Sequence, residues 1–154
     1  MYYSIPPWAD GCPNDGWAIG IAERRDLKAW IRVGEVLPDP SASYERKGIC
    51  APYVRVVNGS VHLFYAGAYN NAPQQIGVAQ STNGVKWTRV SEHPFLPVGR
   101  PGEWNSSESG HPGAFVDTGG RTYLFYQGNS DNGKTWYLSM TPIGWRGAEP
   151  FILQ

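Results

Sequence analysis

Two matching stretches of 12 residues carry the main signal in this sequence: IGIAERRDLKAW at residues 19–30 and IGVAQSTNGVKW at residues 76–87. Both begin with Ile-Gly-x-Ala and end with Trp, and they lie 57 residues apart. A second motif, LFYAG at residues 63–67, recurs as LFYQG at residues 124–128. Self-similarity at this spacing indicates a repeat architecture, in which each unit is stable only when it packs against its neighbours.

Weaker copies of both motifs extend the pattern. Residues 1–4 (MYYS) look like a truncated copy of the second motif, and residues 136–139 followed by Trp145 look like a degraded copy of the first. We therefore predict that Trp30, Trp87 and Trp145 occupy matching positions in the core between units.

Each unit is predicted to contain four short strands. Asn58-Gly59 is a strong signal for a tight hairpin between two apolar runs. The strands of the middle unit are predicted at residues 53–57, 61–65, 76–80 and 87–90, and those of the last unit at residues 114–117, 122–126, 136–140 and 149–153. The Leu-Phe-Tyr strands lack polar alternation, as expected for strands that are buried on both faces.

These units predict an all-β fold: a partial β-propeller of two complete four-stranded antiparallel blades plus part of a third. The whole chain, residues 1–154, is predicted to form one domain, with blade pieces at about residues 1–33, 50–91 and 111–153. The first unit is expected to lack its leading strand. A β-sandwich would also be all-β, but it would not explain the matched offsets.

Composition excludes several classes of protein. Thirteen basic and 13 acidic residues give zero formal charge, which argues against a nucleic-acid partner and against a polybasic membrane surface. No apolar run is long enough to span a bilayer. Cys12 and Cys50 are the only cysteines, so the sequence allows either two buried free thiols or one disulfide, and the compartment stays open.

At these repeat residues the sequence resembles the five-bladed β-propeller glycosidases, namely glycoside hydrolase families 43 and 32 and their mannoside-phosphorylase relatives. Their Tyr-Leu-Phe-Tyr-x-Gly strands correspond to residues 63–67 and 124–128, and their Ile-Gly-x-Ala-x-Ser-x-Asp-Gly-x-x-Trp segment corresponds to residues 76–87. The resemblance implies an arabinanase-like propeller with a sugar site on its funnel face. Sialidase-type Asp-box propellers are the alternative, but residues 81–87 are one residue too short for that box.

One departure from the family concerns the acids. In the family, the catalytic carboxylates stand beside a proline where the inner strands begin. The matching positions here are Cys50-Ala51-Pro52 and Gly110-His111-Pro112, and neither has an acid beside the proline. The nearest carboxylates are Glu45 and Glu108.

In a propeller, the long loops at one end of the sheets surround the funnel, where binding residues concentrate. Glu108 is our candidate general acid, with Glu45, Asp10 or a partner subunit as the source of a second carboxylate and His111 as a proton shuttle. Aromatic rings that stack on sugars and polar groups that bind hydroxyls are the other candidates. The substrate-binding candidates are Trp8, Asp10, Trp17, Arg46, Tyr69, Asn70 and Trp104.

Three functions fit this pattern. The first is a carbohydrate-binding propeller related to glycosidases that lacks the full catalytic machinery in one chain, with an oligosaccharide or glycoside as partner. The second is an active glycoside hydrolase that uses Glu108, and the third is a scaffold without a sugar ligand. No cofactor or metal is expected, because no nucleotide fingerprint is present and the three His show no ligand spacing. A closed ring needs at least four blades, so the chain is a fragment, stays an open ring, or pairs with a second copy. A homodimer that closes the propeller edge to edge is predicted, because open edges invite pairing.

Overall fold

The computed structural model describes residues 1–7, 16–38, 41–45, 48–68 and 73–153, which form three antiparallel sheets. The first sheet contains three strands, β1 (Tyr2–Ile5), β2 (Ala18–Glu23) and β3 (Ile31–Val36), in the order β1-β2-β3. The second sheet contains four strands in sequence order, β4 (Ile49–Val57), β5 (Ser60–Gly67), β6 (Gln75–Ser81) and β7 (Thr88–Arg89). The third sheet also follows sequence order, with β8 (Glu108–Val116), β9 (Thr122–Asn129), β10 (Tyr137–Arg146) and β11 (Glu149–Ile152).

The predicted Asn58-Gly59 hairpin is confirmed, and its backbone explains the sequence. Both residues have positive φ, 49° at Asn58 and 80° at Gly59. A two-residue turn of this kind matches the twist of the strands it joins, and Asn and Gly are the residues that tolerate it best. The turn joins β4 and β5 at one end of the second sheet, so the start of β4 and the end of β5 lie together at the other end.

The central strand β5 is buried on both faces. Leu63 and Tyr65 belong to the apolar cluster between the first and second sheets, whereas Phe64 belongs to the cluster between the second and third sheets. Because successive side chains of a strand point to opposite faces, a strand between two other sheets needs apolar residues at every position. This arrangement explains the Leu-Phe-Tyr run.

The register of the sheets confirms the internal repeat. Tyr3 of β1 stands opposite Gly20, as Tyr65 of β5 stands opposite Gly77. In both pairs, a Cβ on the glycine would lie within 2.6 Å of the tyrosine ring. Residues 1–4 are therefore a copy of the second motif, and among the described residues the first sheet has no counterpart of the inner strands β4 and β8.

The three repeat tryptophans differ more than the sequence predicts. Trp30 and Trp87 directly precede the outer strands β3 and β7, but Trp145 lies inside the third strand, β10. Trp87 packs edge-on against Tyr2 of the first sheet, and Trp145 packs against Phe64 of the second sheet. Trp145 is therefore not at a matching position, although it makes the same kind of contact with the preceding sheet.

The all-β partial propeller is confirmed, and the strand bounds differ in detail. β4 and β8 begin earlier than predicted, and β7 contains only two residues. Within the described ranges, no helix combines the length and the apolar character required to cross a membrane.

Candidate functional site

The inner strands β4 and β8 begin with the same strained bulge. In β4, Cys50 pairs with Ala66 and the next pair is Tyr53 with Phe64, so Ala51 and Pro52 face a single residue. In β8, His111 and Pro112 interrupt the register in the same way. Ala51 and His111 both have φ of 50°, a left-handed conformation that side chains other than glycine rarely adopt. Strained backbone of this kind is retained where the surrounding structure requires it.

A proline follows each strained residue because the bulge leaves one backbone position outside the ladder of hydrogen bonds. Pro52 and Pro112 have no N–H to donate, so they lose nothing at that position. The two bulges therefore form matching turns at the start of the inner strands, where the resemblance predicts the sugar site.

Next to the bulges, the side-chain amide of Gln74 is buried between Cys50 of β4 and Gly110 of β8. The Gln74 amide Nε2 donates to the Cys50 Sγ at 3.4 Å and to the Ala68 carbonyl oxygen at 3.2 Å. Its Oε1 is buried and has no hydrogen-bond partner among the described residues. A Cβ on Gly110 would lie 1.9 Å from this Oε1, so only glycine leaves room for the Gln74 side chain.

Cys50 is a buried free thiol. Burial is the main cause that raises its pKa from 9.0 to about 12, and the negative charge of Glu108 adds to the effect. The thiolate is the reactive form of cysteine, so Cys50 is inert at neutral pH. Cys12 lies outside the described residues.

Glu108 is the first residue of β8 and is fully buried. It pairs across the sheet with Asn129, which is also fully buried. Its influence on the Cys50 pKa places its carboxylate within electrostatic reach of the thiol. Glu108 is therefore a buried acid at the start of the inner strand β8, which is where the sequence analysis predicts it.

Glu45 is also fully buried, but it is bound as an ion pair. Arg89 donates from Nε to Glu45 Oε1 at 2.8 Å and from Nη2 to Oε2 at 2.7 Å, and the Tyr65 hydroxyl donates to Oε1 at 2.8 Å. Hydrogen bonding to Glu45 is the main cause that raises the pKa of Arg89. This bidentate pair connects β7 to the loop before β4, which is the pattern of a structural ion pair.

An aromatic platform lies at the end of the third sheet where β8 begins. The Trp104 ring lies 5.8 Å from the Tyr126 ring and 6.4 Å from the Tyr137 ring, at 33° and 89° to them. Trp104 is 38% exposed and Tyr137 is 54% exposed. With Ser130, Leu138 and Ser139, these two rings line a cavity of about 320 Å³.

The platform adjoins Glu108. A Cβ on Gly128 would lie 2.6 Å from the Glu108 carbonyl oxygen and 2.8 Å from Cζ3 of Trp104, so the indole covers this glycine beside the start of β8. Tyr137 is the cross-strand partner of the same glycine. The sequence analysis missed Tyr137, although its place directly after the funnel-side loop of the third unit was a usable signal.

His111 and Trp17 lie near this end but contribute differently. His111 is exposed at its bulge, and partial removal from water lowers its pKa, so its ring is neutral at pH 7. Trp17 is half-buried, and its carbonyl oxygen accepts a hydrogen bond from the Ile49 N–H at 2.8 Å. Trp17 thereby connects the first sheet to the start of β4.

Five predicted site residues lie outside the described part of the chain: Trp8, Asp10, Arg46, Tyr69 and Asn70. Their roles stay predictions, as do those of Glu45, Glu108, His111, Trp17 and Trp104. Among the described residues, no group of three His, Cys, Asp or Glu side chains is arranged to hold a metal ion.

Comparison with solved structures relates this arrangement to known enzymes. The chain is similar to an endo-1,4-β-xylanase from Bacteroides thetaiotaomicron, with 18% identity and a TM-score of 0.78, over 91% of this chain and 51% of that chain. It is similar to an α-L-arabinofuranosidase from Lactobacillus brevis, with 19% identity and a TM-score of 0.72, over 98% and 50%. An α-L-arabinanase from Cellvibrio cellulosa, complexed with arabinohexaose, matches with 14% identity and a TM-score of 0.61, over 89% and 49%.

These similarities establish the fold. The chain has the fold of the propeller glycosidases and spans about half the length of the xylanase, the arabinofuranosidase and the arabinanase. No protein-family model matches the sequence, and neither does any curated protein sequence.

Proposed function

We propose that this part of a glycosidase-like propeller binds a pentose-containing glycan at the platform formed by Trp104 and Tyr137. The main support is that the exposed rings of Trp104 and Tyr137 lie at right angles and line one cavity, near the start of β8. An aromatic face stacks on the C–H groups of a sugar ring, and the hydroxyls of Ser130 and Ser139 are suited to hydrogen-bond its OH groups.

The choice of a pentose rests on the similar structures. Four of the similar structures are named for enzymes of xylan, xylosides, arabinofuranosides or arabinan. The cavity, at about 320 Å³, is at the small end of ligand sites and suits one or two sugar rings.

The proposed activity is binding without hydrolysis by this chain alone. Glycoside hydrolysis requires two carboxyl groups, about 5–5.5 Å apart in retaining enzymes and about 6.5–9.5 Å apart in inverting enzymes. Of the two candidate acids in the described part, Glu45 has both carboxylate oxygens hydrogen-bonded to Arg89 and is held in that ion pair. Of these two candidate acids, Glu45 is thus not available to act as the second carboxylate beside Glu108 in hydrolysis.

The test is isothermal titration calorimetry, which measures the binding of xylohexaose and of arabinohexaose to the protein. We expect Trp104→Ala and Tyr137→Ala to weaken binding of the preferred oligosaccharide at least about tenfold, a change of about 1.4 kcal/mol. Trp136→Ala is the matched control, because Trp136 is 39% exposed, precedes Tyr137 and does not line the cavity.

Binding that is weakened equally by Trp136→Ala would place the glycan elsewhere. The absence of binding to both oligosaccharides would reject the proposal and favour a scaffold without a sugar ligand.

An active glycoside hydrolase is the second candidate, because Glu108 is a fully buried carboxylate at the mouth of an inner strand. Aryl xylosides and aryl arabinofuranosides test this function, with Glu108→Gln as the comparison. Turnover that disappears in Glu108→Gln while oligosaccharide binding persists would support hydrolysis over binding alone.

A further inference from the structure

The two rings of the aromatic platform are held in different ways. Trp104 is held by packing, because its indole lies across Gly128 and its ring lies 5.8 Å from that of Tyr126. Tyr137 is 54% exposed and meets the Trp104 ring edge-on at 6.4 Å. Packing therefore fixes Trp104 more firmly than Tyr137. As the first residue of β10, Tyr137 depends for its position on the loop that precedes it.

That loop, residues 130–136, joins β9 to β10 and contributes Ser130 to the same cavity. We refer to it as the platform loop. Within it, Asn132 and Gly133 have positive φ, 56° and 84°. The backbone leaves the ladder of the sheet at this turn, so its N–H groups need other acceptors.

Two side-chain oxygens supply these acceptors. Asn129 Oδ1 accepts a hydrogen bond from the Gly133 N–H at 2.9 Å. Asp131 Oδ1 accepts hydrogen bonds from the N–H groups of Lys134 and Thr135, both at 3.0 Å. Three successive N–H groups of the platform loop are thereby bound by residues that precede them in the chain. Side-chain to backbone hydrogen bonds of this kind hold a loop in one conformation.

The two acceptor residues differ in their surroundings. Asn129 is fully buried, and its carbonyl oxygen also accepts from the Ser107 N–H at 2.9 Å, three residues after Trp104. Asp131 is half-buried and lies outside both apolar clusters, so it can be replaced without disturbing the core. Hydrogen bonding, above all from the Thr135 N–H, lowers the pKa of the Asp131 carboxyl, which is therefore a charged, strong acceptor at neutral pH.

The second sheet uses the same device at a turn that does not line the cavity. In the turn between β6 and β7, Asn83 Oδ1 accepts from the N–H groups of Val85 and Lys86, both at 2.9 Å. An amide oxygen there makes the two hydrogen bonds that the carboxylate of Asp131 makes in the platform loop. Such a turn therefore requires the acceptor oxygen and not the negative charge.

We propose that Asp131 is a positioning residue for the aromatic platform, because it holds the loop that places Ser130 and Tyr137 at the cavity. This inference rests on the proposed function, the binding of a glycan between Trp104 and Tyr137. A site whose groups are already in place loses less conformational freedom when its ligand binds. A loosened platform loop therefore weakens binding even when every side chain that lines the cavity is retained.

Isothermal titration calorimetry with xylohexaose and with arabinohexaose tests this role. Asp131→Ala removes two hydrogen bonds from the platform loop and is expected to weaken binding about fivefold. Asp131→Asn keeps an acceptor oxygen and is expected to bind within about twofold of the wild type. Asn83→Ala is the matched control, because it removes the two equivalent hydrogen bonds from the β6–β7 turn. It is expected to leave binding unchanged.

Two measurements without a glycan separate positioning from general stability. Amide hydrogen exchange, followed by nuclear magnetic resonance, is expected to be at least about fivefold faster at Lys134 and Thr135 in Asp131→Ala than in the wild type. Asp131→Asn is expected to retain the protection. The urea midpoint of Asp131→Ala is expected to stay close to that of the wild type, because the apolar clusters are untouched.

The outcomes distinguish this inference from the proposed function. If the wild type binds an oligosaccharide and Asp131→Ala binds it equally well, the positioning role is wrong and the glycan site stands. The role is also wrong if Asp131→Asn is as weak as Asp131→Ala, or if Asn83→Ala weakens binding to the same extent. If the wild type binds neither oligosaccharide, the proposed function fails and the positioning role fails with it.

Discussion

Glu45 and Glu108 are both fully buried glutamates, but their neighbours differ. Glu45 accepts two hydrogen bonds from one guanidinium and one from Tyr65. A buried carboxylate with such partners is held in one position. Glu108 instead lies where its charge reaches the Cys50 thiol. The two residues are of the same type, and only their surrounding side chains distinguish them.

Cys50 and Tyr44 make the stability of the protein sensitive to high pH. Burial raises the pKa of Cys50 from 9.0 to about 12 and that of Tyr44 from 10.0 to about 12, so both groups stay neutral in the folded state after they would ionise in the unfolded chain. Their contribution is complete below pH 9 and is lost as the pH rises from 9 to about 12. At pH 10.5, Cys50 alone accounts for a loss of about 2 kcal/mol.

Urea unfolding at pH 7, 9 and 10.5 measures this effect. The Cys50→Ala variant is expected to show a smaller decrease between pH 9 and 10.5 than the wild type. Tyr44 and Tyr65, whose pKa values are also raised by burial, cause the part that remains. Parallel pH profiles for the two proteins would contradict the role of the thiol.

Among the strands, a tyrosine of β5 lies across a glycine of β6. A Cβ on Gly77 would lie 2.3 Å from the Tyr44 hydroxyl and 2.4 Å from Cζ of Tyr65. The two tyrosine hydroxyls are 2.7 Å apart and continue to Glu45. The missing side chain of Gly77 therefore makes room for the buried network that holds Arg89.

Gly77→Ala is expected to destabilise the protein by about 2 kcal/mol, because the added methyl group displaces buried rings. Gly34→Ala in β3 is the matched control, since a Cβ there meets no atom within 4 Å. Its effect is expected to stay within about 0.5 kcal/mol. Equal effects of the two substitutions in chemical denaturation would show that close packing at Gly77 is unimportant.

At the scale of the whole chain, stability comes from contacts between sheets. Two apolar clusters join the three sheets, and β5 contributes to both. Leu63 and Tyr65 belong to the cluster with the first sheet, and Phe64 belongs to the cluster with the third. A unit on its own would leave one or both of its apolar faces in water, as repeat architectures generally do. The sheets are therefore expected to unfold together.

Trp145→Ala tests this dependence. Trp145 packs against His62 and Phe64 of the second sheet and donates from Nε1 to Thr122 Oγ1 at 3.2 Å. Its loss is expected to cost at least about 2 kcal/mol and to lower a single cooperative transition. Trp136→Ala, at an exposed tryptophan outside both clusters, is expected to cost less than about 0.5 kcal/mol. Two separate transitions in Trp145→Ala would contradict joint unfolding.

The fold and its repeat could be predicted from the sequence, because strand periodicity and turn residues are local signals. The Leu-Phe-Tyr run indicated burial on two faces, and Asn58-Gly59 indicated the hairpin, since both depend on neighbouring residues alone. Glu108 and Trp104 were also predicted at the loop end, because antiparallel strands bring their alternate connections to one end.

Only the tertiary structure decided which of these residues act together. Arg89 and Glu45 are 44 residues apart, yet they form an ion pair, and Tyr137 joins Trp104 at one cavity. Trp145 was assigned to the position of Trp30 and Trp87 by spacing, but it lies inside β10 and not directly before the outer strand β11. Such contacts depend on the packing of one sheet against the next, and this packing leaves no periodic trace in the sequence.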